Sequence, residues 1–312
     1  IINDLETKLF HITNEIKTQK LSSSADLVQT IFSDLKTKSL NPKLSGITSG
    51  FKDLDSLTQG FQKSDLIIIA ARPSMGKTAL SLNIATNLLK TSKLPVLFFS
   101  LEMSKEQIMY RLLSMETTIN QMKLKSGKLY RNDWIKLTKM LKIISKFPLF
   151  IDDTFDLTIQ DIRSKIKTIL FEQNQLGLVI IDYIQLMQNT KLKLENRVQE
   201  LSYITRSLKT IAREFNIPII GLSQLSRNVE NRINKKPILS DLRESGSIEQ
   251  DADVVLMLYK NTSSEQLNSN TYLQTSQFID LIIAKQRNGP TGIVKLKFDE
   301  EQTKFFSQET ET

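Results

Sequence analysis

The run Leu66-Ile67-Ile68-Ile69-Ala70-Ala71-Arg72-Pro73-Ser74-Met75-Gly76-Lys77-Thr78 decides how this chain reads. Its first six residues are continuously apolar, which predicts a strand covered on both faces. From Ala71 to Thr78 it fits the phosphate-loop pattern G-x-x-x-x-G-K-[ST] at seven of eight positions, with Ala71 in place of the first glycine. A helix is expected over Lys77–Lys90. A strand that turns sharply into a helix N-terminus aims several backbone N–H groups at one point and so forms an anion site. Ser74, Met75, Gly76, Lys77 and Thr78 are therefore the expected nucleotide-binding residues. Lys77 is placed to reach the β- and γ-phosphates, and the Thr78 hydroxyl to ligate Mg²⁺. The competing reading is a chance turn that holds a lysine. It leaves the apolar strand before the turn and the helix after it unexplained.

Working outward, further continuous aliphatic runs lie at Val96–Phe99, Leu149–Ile151, Leu178–Ile181, Ile217–Leu222, Val254–Leu258 and Ile279–Ala284. Most are separated by stretches of helical period, such as Asp161–Phe171 and Val198–Phe215. Strand and helix in alternation predict an α/β domain with a mainly parallel sheet. Gly292–Phe298 alternates more loosely and is expected to form an antiparallel edge strand. Asp182 closes the run Leu178–Ile181, and an aspartate at the carboxyl end of a central strand is placed to hold Mg²⁺. Glu102 follows the second strand. It can polarise an attacking water, or it can simply complement the dipole of a helix over Met103–Met115. From the residues alone both roles stand.

Composition excludes other chemistries. The 312 residues contain no cysteine and one histidine, His11, so disulfides, zinc fingers, iron–sulfur clusters and histidine triads are out of reach. Catalysis must run on Lys, Arg, Asp, Glu, Gln, Thr and backbone amides. Lys and Arg total 42 against 34 Asp and Glu, a net charge of +8, which suits a polyanionic partner. No apolar run approaches the ~20 residues of a membrane span. The abundance of Ile, Lys and Asn suggests an AT-rich genome.

Ahead of the α/β region, Leu5, Leu9, Ile12 and Ile16 make one helical stripe, and Ser22-Ser23-Ser24 offers a break and a cap. A second helix should carry Leu27, Val28, Ile31, Phe32 and Leu35 on one face. Residues 36–50 read as a linker. The two stripes either pack back on their own chain or dock on a neighbouring subunit. The segment Lys123–Lys146 holds eight basic residues and is expected to be a solvated helical face around Trp134, Leu137 and Leu141. Glu300, Glu301, Glu309 and Glu311 read as a frayed tail.

At this point the motifs form a set. Ala71–Thr78, Phe99–Met103, Ile180–Met187, Leu222–Leu225, Ser240–Asp253 and Lys285–Pro290 resemble, in order, those of the DnaB-type replicative DNA helicases. The match covers about Ile47 to Phe298, and Ala71 is the form this family itself tends to carry. The resemblance implies a RecA-like ATPase domain over 47–306, preceded by a linker helix and tether over 21–46 and the trailing helix of a largely missing N-terminal domain over 1–20, with a tail at 307–312. It implies a homohexameric ring around single-stranded DNA, driven by Mg²⁺–ATP and moving 5′ to 3′, with primase and a loader as further partners. The compartment would be a bacterial cytoplasm (nucleoid) or a plastid stroma.

On the same resemblance, Glu102 looks like the catalytic carboxylate and Gln224 like a γ-phosphate sensor. Arg227, Arg243, Glu244 and Gly246 would hold the DNA strand within a stretch that also carries Arg232, Lys235 and Lys236. Lys285 and Arg287, two apart in extended chain and hence on one face, would reach the nucleotide of the adjacent subunit. By themselves these two read as a basic loop tip before Asn288-Gly289-Pro290. The alternative function is a RecA-like DNA-binding ATPase, recombinase or scaffold, that does not unwind.

Overall fold

The computed structural model describes residues 23–40, 44–187, 197–232, 234–260 and 276–307. The chain forms two compact units, 1–43 and 44–312. The described part of the first is one helix, α1 (Ser24–Leu40). The Ser23 hydroxyl accepts from the Asp26 N–H at 3.2 Å and starts it. Leu27, Val28, Ile31, Phe32 and Leu35 are all exposed, from 49% to 70%. The helix expected over 1–20 lies outside the described residues. The linker expected at 36–50 is shorter than its composition suggests. Helix α1 continues through Leu40, and Ile47 already pairs with Phe61.

The second unit is built on a nine-stranded sheet in the order β3-β2-β4-β5-β1-β6-β7-β8-β9. The strands are β1 (Leu66–Ala71), β2 (Val96–Ser100), β3 (Leu149–Asp152), β4 (Leu178–Asp182), β5 (Ile219–Gln224), β6 (Val254–Tyr259), β7 (Ser276–Gln286), β8 (Gly292–Asp299) and β9 (Lys304–Ser307). The first six run parallel and β7 to β9 are antiparallel. The aliphatic runs form strands because both faces are covered. Ile67, Ile69, Phe98 and Ile180 pack on one side with α3 (Lys77–Thr91). Leu66, Ile68, Phe99 and Ile181 pack on the other with α7 (Ile159–Gln173) and α8 (Arg197–Phe215). Helix α7 buries Ile159, Ile162, Ile166 and Ile169, and α8 buries Leu201, Ile204, Leu208 and Ile211. In both the spacing is 3, 4, 3, one stripe per helix.

Three expectations need correction. Strand β8 is not the edge, because β9 pairs outside it. Nor do Glu300 and Glu301 fray. They sit in the turn between β8 and β9, where Glu300 accepts from Gln277 Nε2 at 2.6 Å. The basic segment 123–146 spans α5 (Gln121–Ser126) and α6 (Arg131–Ile144), which follow α4 (Lys105–Thr117). There Leu137 is buried with Ile119 and Leu124, but Trp134 is 55% and Leu141 47% exposed. The small satellite cluster under these helices closes on Leu137 and leaves the next face of α6 uncovered. Two further short α-helices are α2 (Lys52–Thr58) before β1 and α9 (Gly246–Asp251) before β6.

Candidate active site

Four neighbouring strands, β2, β4, β5 and β1, bring their carboxyl ends together, and the last three end at Asp182, Gln224 and Ala71, singled out above. Register aligns them: Ser100 opposes Asp182, and Ala71 opposes Gln224. The resulting cleft, about 300 Å³, is lined by the loop Arg72–Thr78 together with Glu102, Met103, Arg111, Tyr183 and Gln224.

The phosphate loop is shaped by two left-handed residues, Ser74 (φ 63°) and Gly76 (φ 81°). Gly76 is the N-cap of α3, and no side chain caps that helix, which leaves its first N–H groups directed into the cleft. A Cβ on Gly76 would lie 3.0 Å from Phe305 and 3.2 Å from Phe298. These two rings stack at 4.4 Å, and Asn83 of α3 accepts from the Phe305 N–H at 2.9 Å. The β8–β9 hairpin therefore buttresses the loop from below.

Lys77 Nζ lies 4.8 Å from the centre of the Tyr183 ring. Burial holds its pKa below the usual lysine range, against the pull of Asp182 and Glu102. Thr78 Oγ1 donates to Asp182 Oδ2 at 2.6 Å. Burial pushes the Asp182 carboxyl up, opposed by Lys77 and the Thr78 hydroxyl. Its other oxygen, Oδ1, is buried with no hydrogen-bond partner. Hard oxygens from a hydroxyl and a half-satisfied carboxylate beside a phosphate loop fit Mg²⁺.

Glu102 is exposed in the cleft. Its helix-dipole reading loses its basis, because α4 starts only at Lys105 and is capped by Ser104, whose side chain accepts from Gln107 N–H in a capping box. Arg111, which sequence reasoning passed over, reaches the cleft from α4. Its Nε is buried without a partner, and burial lowers its pKa while Asp182 and Glu102 oppose this. Its place on the α4 face, nine residues after Glu102, carries no local signal.

Gln224 is exposed at the end of β5, and Gln185 Nε2 donates to Ser223 Oγ at 2.8 Å beside it. Arg72 ties the phosphate loop to the segment that follows. It donates to the Leu225 carbonyl at 2.8 Å and pairs with Glu230 at 2.7 Å. Arg227 is exposed in the adjoining cavity of about 640 Å³, which Arg72 and Gln224 also line. Arg232 is engaged by Asp241 and is not a free cation. Arg243 and Glu244 lie in a short 3-10 stretch, Leu239–Ser245, and Gly246 begins α9.

Lys285 and Arg287 do not join this cleft. They lie where β7 meets the start of β6, since Gln286 opposes Val254, and the Arg287 N–H donates to the Asp253 carbonyl at 2.9 Å. Asp253 in turn is bonded to Leu66, the first residue of β1. The phosphate loop follows the last residue of that strand. Five steps of ~3.3 Å put ~17 Å of strand between the two ends. Both side chains reach the carboxyl end of α9.

A parallel sheet with a phosphate loop, a magnesium-suited carboxylate and a further carboxylate in one cleft defines a nucleotide-hydrolysing α/β protein. Residues 46–307 match the family model described as the DnaB-like helicase C-terminal domain. The chain is 64% identical over 306 residues to a probable replicative DNA helicase of Trieres chinensis, covering 98% of this chain and 67% of the relative. It is 44% identical over 310 residues to the replicative DNA helicase DnaB of Geobacillus stearothermophilus, covering 99% and 67%. Against a solved ATPase domain it gives a TM-score of 0.83 at 36% identity, over 93% of this chain and 100% of that one. Against a DnaB-like replicative helicase solved with its interactions with primase, the TM-score is 0.79 at 35% identity, over 99% and 72%. The chain belongs to the DnaB-like replicative DNA helicases, ATP-hydrolysing enzymes with a RecA-like motor domain.

Proposed function

We propose that this chain is the motor of a homohexameric ring that moves 5′ to 3′ along single-stranded DNA and excludes the other strand at the fork. ATP binds with its phosphates on the main chain of Ser74–Thr78 and on Lys77. Thr78 and Asp182 would hold Mg²⁺, which would supply positive charge against the phosphates. Glu102 orients the attacking water, and Gln224 reports the γ-phosphate to the segment carrying Arg227, Arg243, Glu244 and Gly246, which grips the DNA. Lys285 and Arg287 complete the site of the adjacent subunit.

One observation carries this reading. Lys77, Glu102, Asp182 and Gln224 share the carboxyl edge of the sheet, whereas Lys285 and Arg287 stand at the end of β7, on the opposite edge of the sheet. A chain so built cannot bring the two groups together within itself, which supports a site completed by a neighbouring copy in a head-to-tail assembly. The exposed stripe of α1 and the exposed face of α6 suit contact between neighbours. The domain divisions at 20, 46 and 306, primase and loader as partners, and a bacterial cytoplasm or plastid stroma as compartment belong to the same proposal. Among the described residues no helix is long and apolar enough to cross a membrane.

The test is ATP turnover, with and without single-stranded DNA, by wild type, Glu102→Ala, Arg287→Ala and an equal mixture of the two variants. Each variant alone should lose at least about 100-fold in turnover. In the mixture about a quarter of the interfaces pair an intact Glu102 with an intact Arg287, and activity should return. Wild-type turnover by assembled Arg287→Ala would overturn the shared site and favour the scaffold reading.

A further inference from the structure

Lys285 and Arg287 are held by a cradle built from the end of the Ser240–Asp253 motif. Lys285 Nζ donates to three main-chain carbonyls at the end of α9, those of Glu249 (2.6 Å), Gln250 (3.3 Å) and Ala252 (2.9 Å). Arg287 Nη2 donates to the Gln250 carbonyl at 2.5 Å. Its Nε lies 3.6 Å from Asp253 Oδ1. Asp253 is 5% exposed and fully engaged. Its Oδ2 accepts from the Leu66 N–H at 2.8 Å and from Lys209 Nζ of α8. Lys209 also donates to the Ser64 carbonyl at 2.7 Å and lies 3.9 Å from Asp65. One carboxylate thus joins the first residue of β1, helix α8 and the root of the basic pair.

This arrangement is more than a strand-end contact. Leu66 and Lys209 already satisfy one oxygen of Asp253, and together with the Arg287 N–H to Asp253 carbonyl bond they would close the end of the sheet without help. The second oxygen faces Arg287, whose side chain stays 43% exposed. The guanidinium is held through Nη2 by the Gln250 carbonyl and lies in ion-pair range of Asp253 through Nε, while 43% of the side chain stays exposed, so it is oriented toward an outside anion. Alternatives elsewhere carry less. The polar cavity by Gln286 and Asn288 has no feature that selects a ligand, and the Arg72–Glu230 pair is too exposed on the glutamate side to hold much.

We propose that Asp253, braced by Lys209, is a positioning residue for Arg287 and so acts on ATP hydrolysis in the neighbouring subunit rather than in its own. This rests on the trans reading of Arg287 given above. In its own chain Asp253 stands at the end of β1 opposite the phosphate loop. It sets where the Arg287 guanidinium stands when the adjacent γ-phosphate arrives.

Mixed rings test it. Asp253→Asn keeps the shape and loses the charge, and alone it should lower ATP turnover about tenfold, the effect of one misplaced charged hydrogen bond. Mixed with Glu102→Ala it should regain activity, because its own Glu102 is intact and the partner subunit's Arg287 is correctly held. Mixed with Arg287→Ala it should regain none, because both subunits then lack a working finger. Recovery in this second mixture, or none in the first while Arg287→Ala plus Glu102→Ala recovers, would sink the proposal. Failure of Arg287→Ala plus Glu102→Ala itself points instead at the trans reading. If Asp253→Asn does not fold, as judged by its thermal transition, Lys209→Gln, which removes the brace alone, should show the same pattern of mixtures with a smaller loss. Recovery of Lys209→Gln by Arg287→Ala would count against it equally.

Discussion

The amino end of β1 holds a residue whose titration can be followed. Burial pushes Asp65 up to about 6, Asp253 adds to this, and Lys209 and Arg287 oppose it. An acid whose folded pKa lies above its unfolded value of 3.8 binds its proton more tightly in the native state. Stability from this group is therefore present below about pH 4 and is lost as pH rises to about 6. The full shift corresponds to about 3 kcal/mol, and the water Asp65 still touches screens it to about 1–2 kcal/mol. Asp65→Asn should match wild type near pH 4 and exceed it by that amount at pH 7. Urea unfolding midpoints across this range check it, and parallel curves for the two proteins would show that Asp65 does not titrate in the window.

The same scale shows what a sequence conceals. Lys77, Thr78 and Asp182 were legible because phosphate and metal chemistry restricts both residue type and spacing. Arg111 was not, because an arginine on an amphipathic helix reads as surface, and only the packing of α4 turns it into the cleft.

The central strands could be read directly, because continuous aliphatic runs have few stable uses other than a sheet covered on both faces. Ile180 in β4 is fully buried, two residues before Asp182. Ile180→Ala should cost about 2–5 kcal/mol through lost burial and the cavity left behind. It should also lower ATP turnover more than an equally destabilising change at Leu137, which α6 buries in the small cluster with Ile119 and Leu124. Thermal unfolding paired with ATPase assays measures both, and equal turnover at matched stability would count against a β4 route to Asp182. Strand β9 was missed for a reason of length. Lys304–Ser307 is too short for its alternation to stand out, and only its pairing with β8 and the seat of Phe305 beneath Gly76 reveal it.

The whole molecule adds what a single chain leaves open. The five apolar residues of α1 are exposed, and burying such a stripe is worth about 1.5–3 kcal/mol per side chain. A double change, Ile31→Ser with Phe32→Ser, should leave thermal unfolding of the ATPase unit unmoved while weakening self-association. Sedimentation velocity with added nucleotide reports the second effect. Assembly at wild-type concentrations would show that α1 is not part of the contact between copies.

The sequence by itself determined the α/β alternation, the phosphate loop, the metal-suited aspartate and, through six ordered motifs, the family. All of these are local: each depends on residue types within a few positions, where sterics, hydrophobic period and phosphate chemistry act over short range. What only the tertiary structure decided is where separate pieces meet. Glu102 lies in the cleft rather than at a helix start because Ser104 takes the cap. Arg232 is bound to Asp241 rather than open to DNA. Lys285 and Arg287 stand on a cradle at the far end of β1, because β7 is antiparallel to β6 and so returns to the amino edge of the sheet. Strand direction and register follow from how the whole core packs, and no window of sequence contains that.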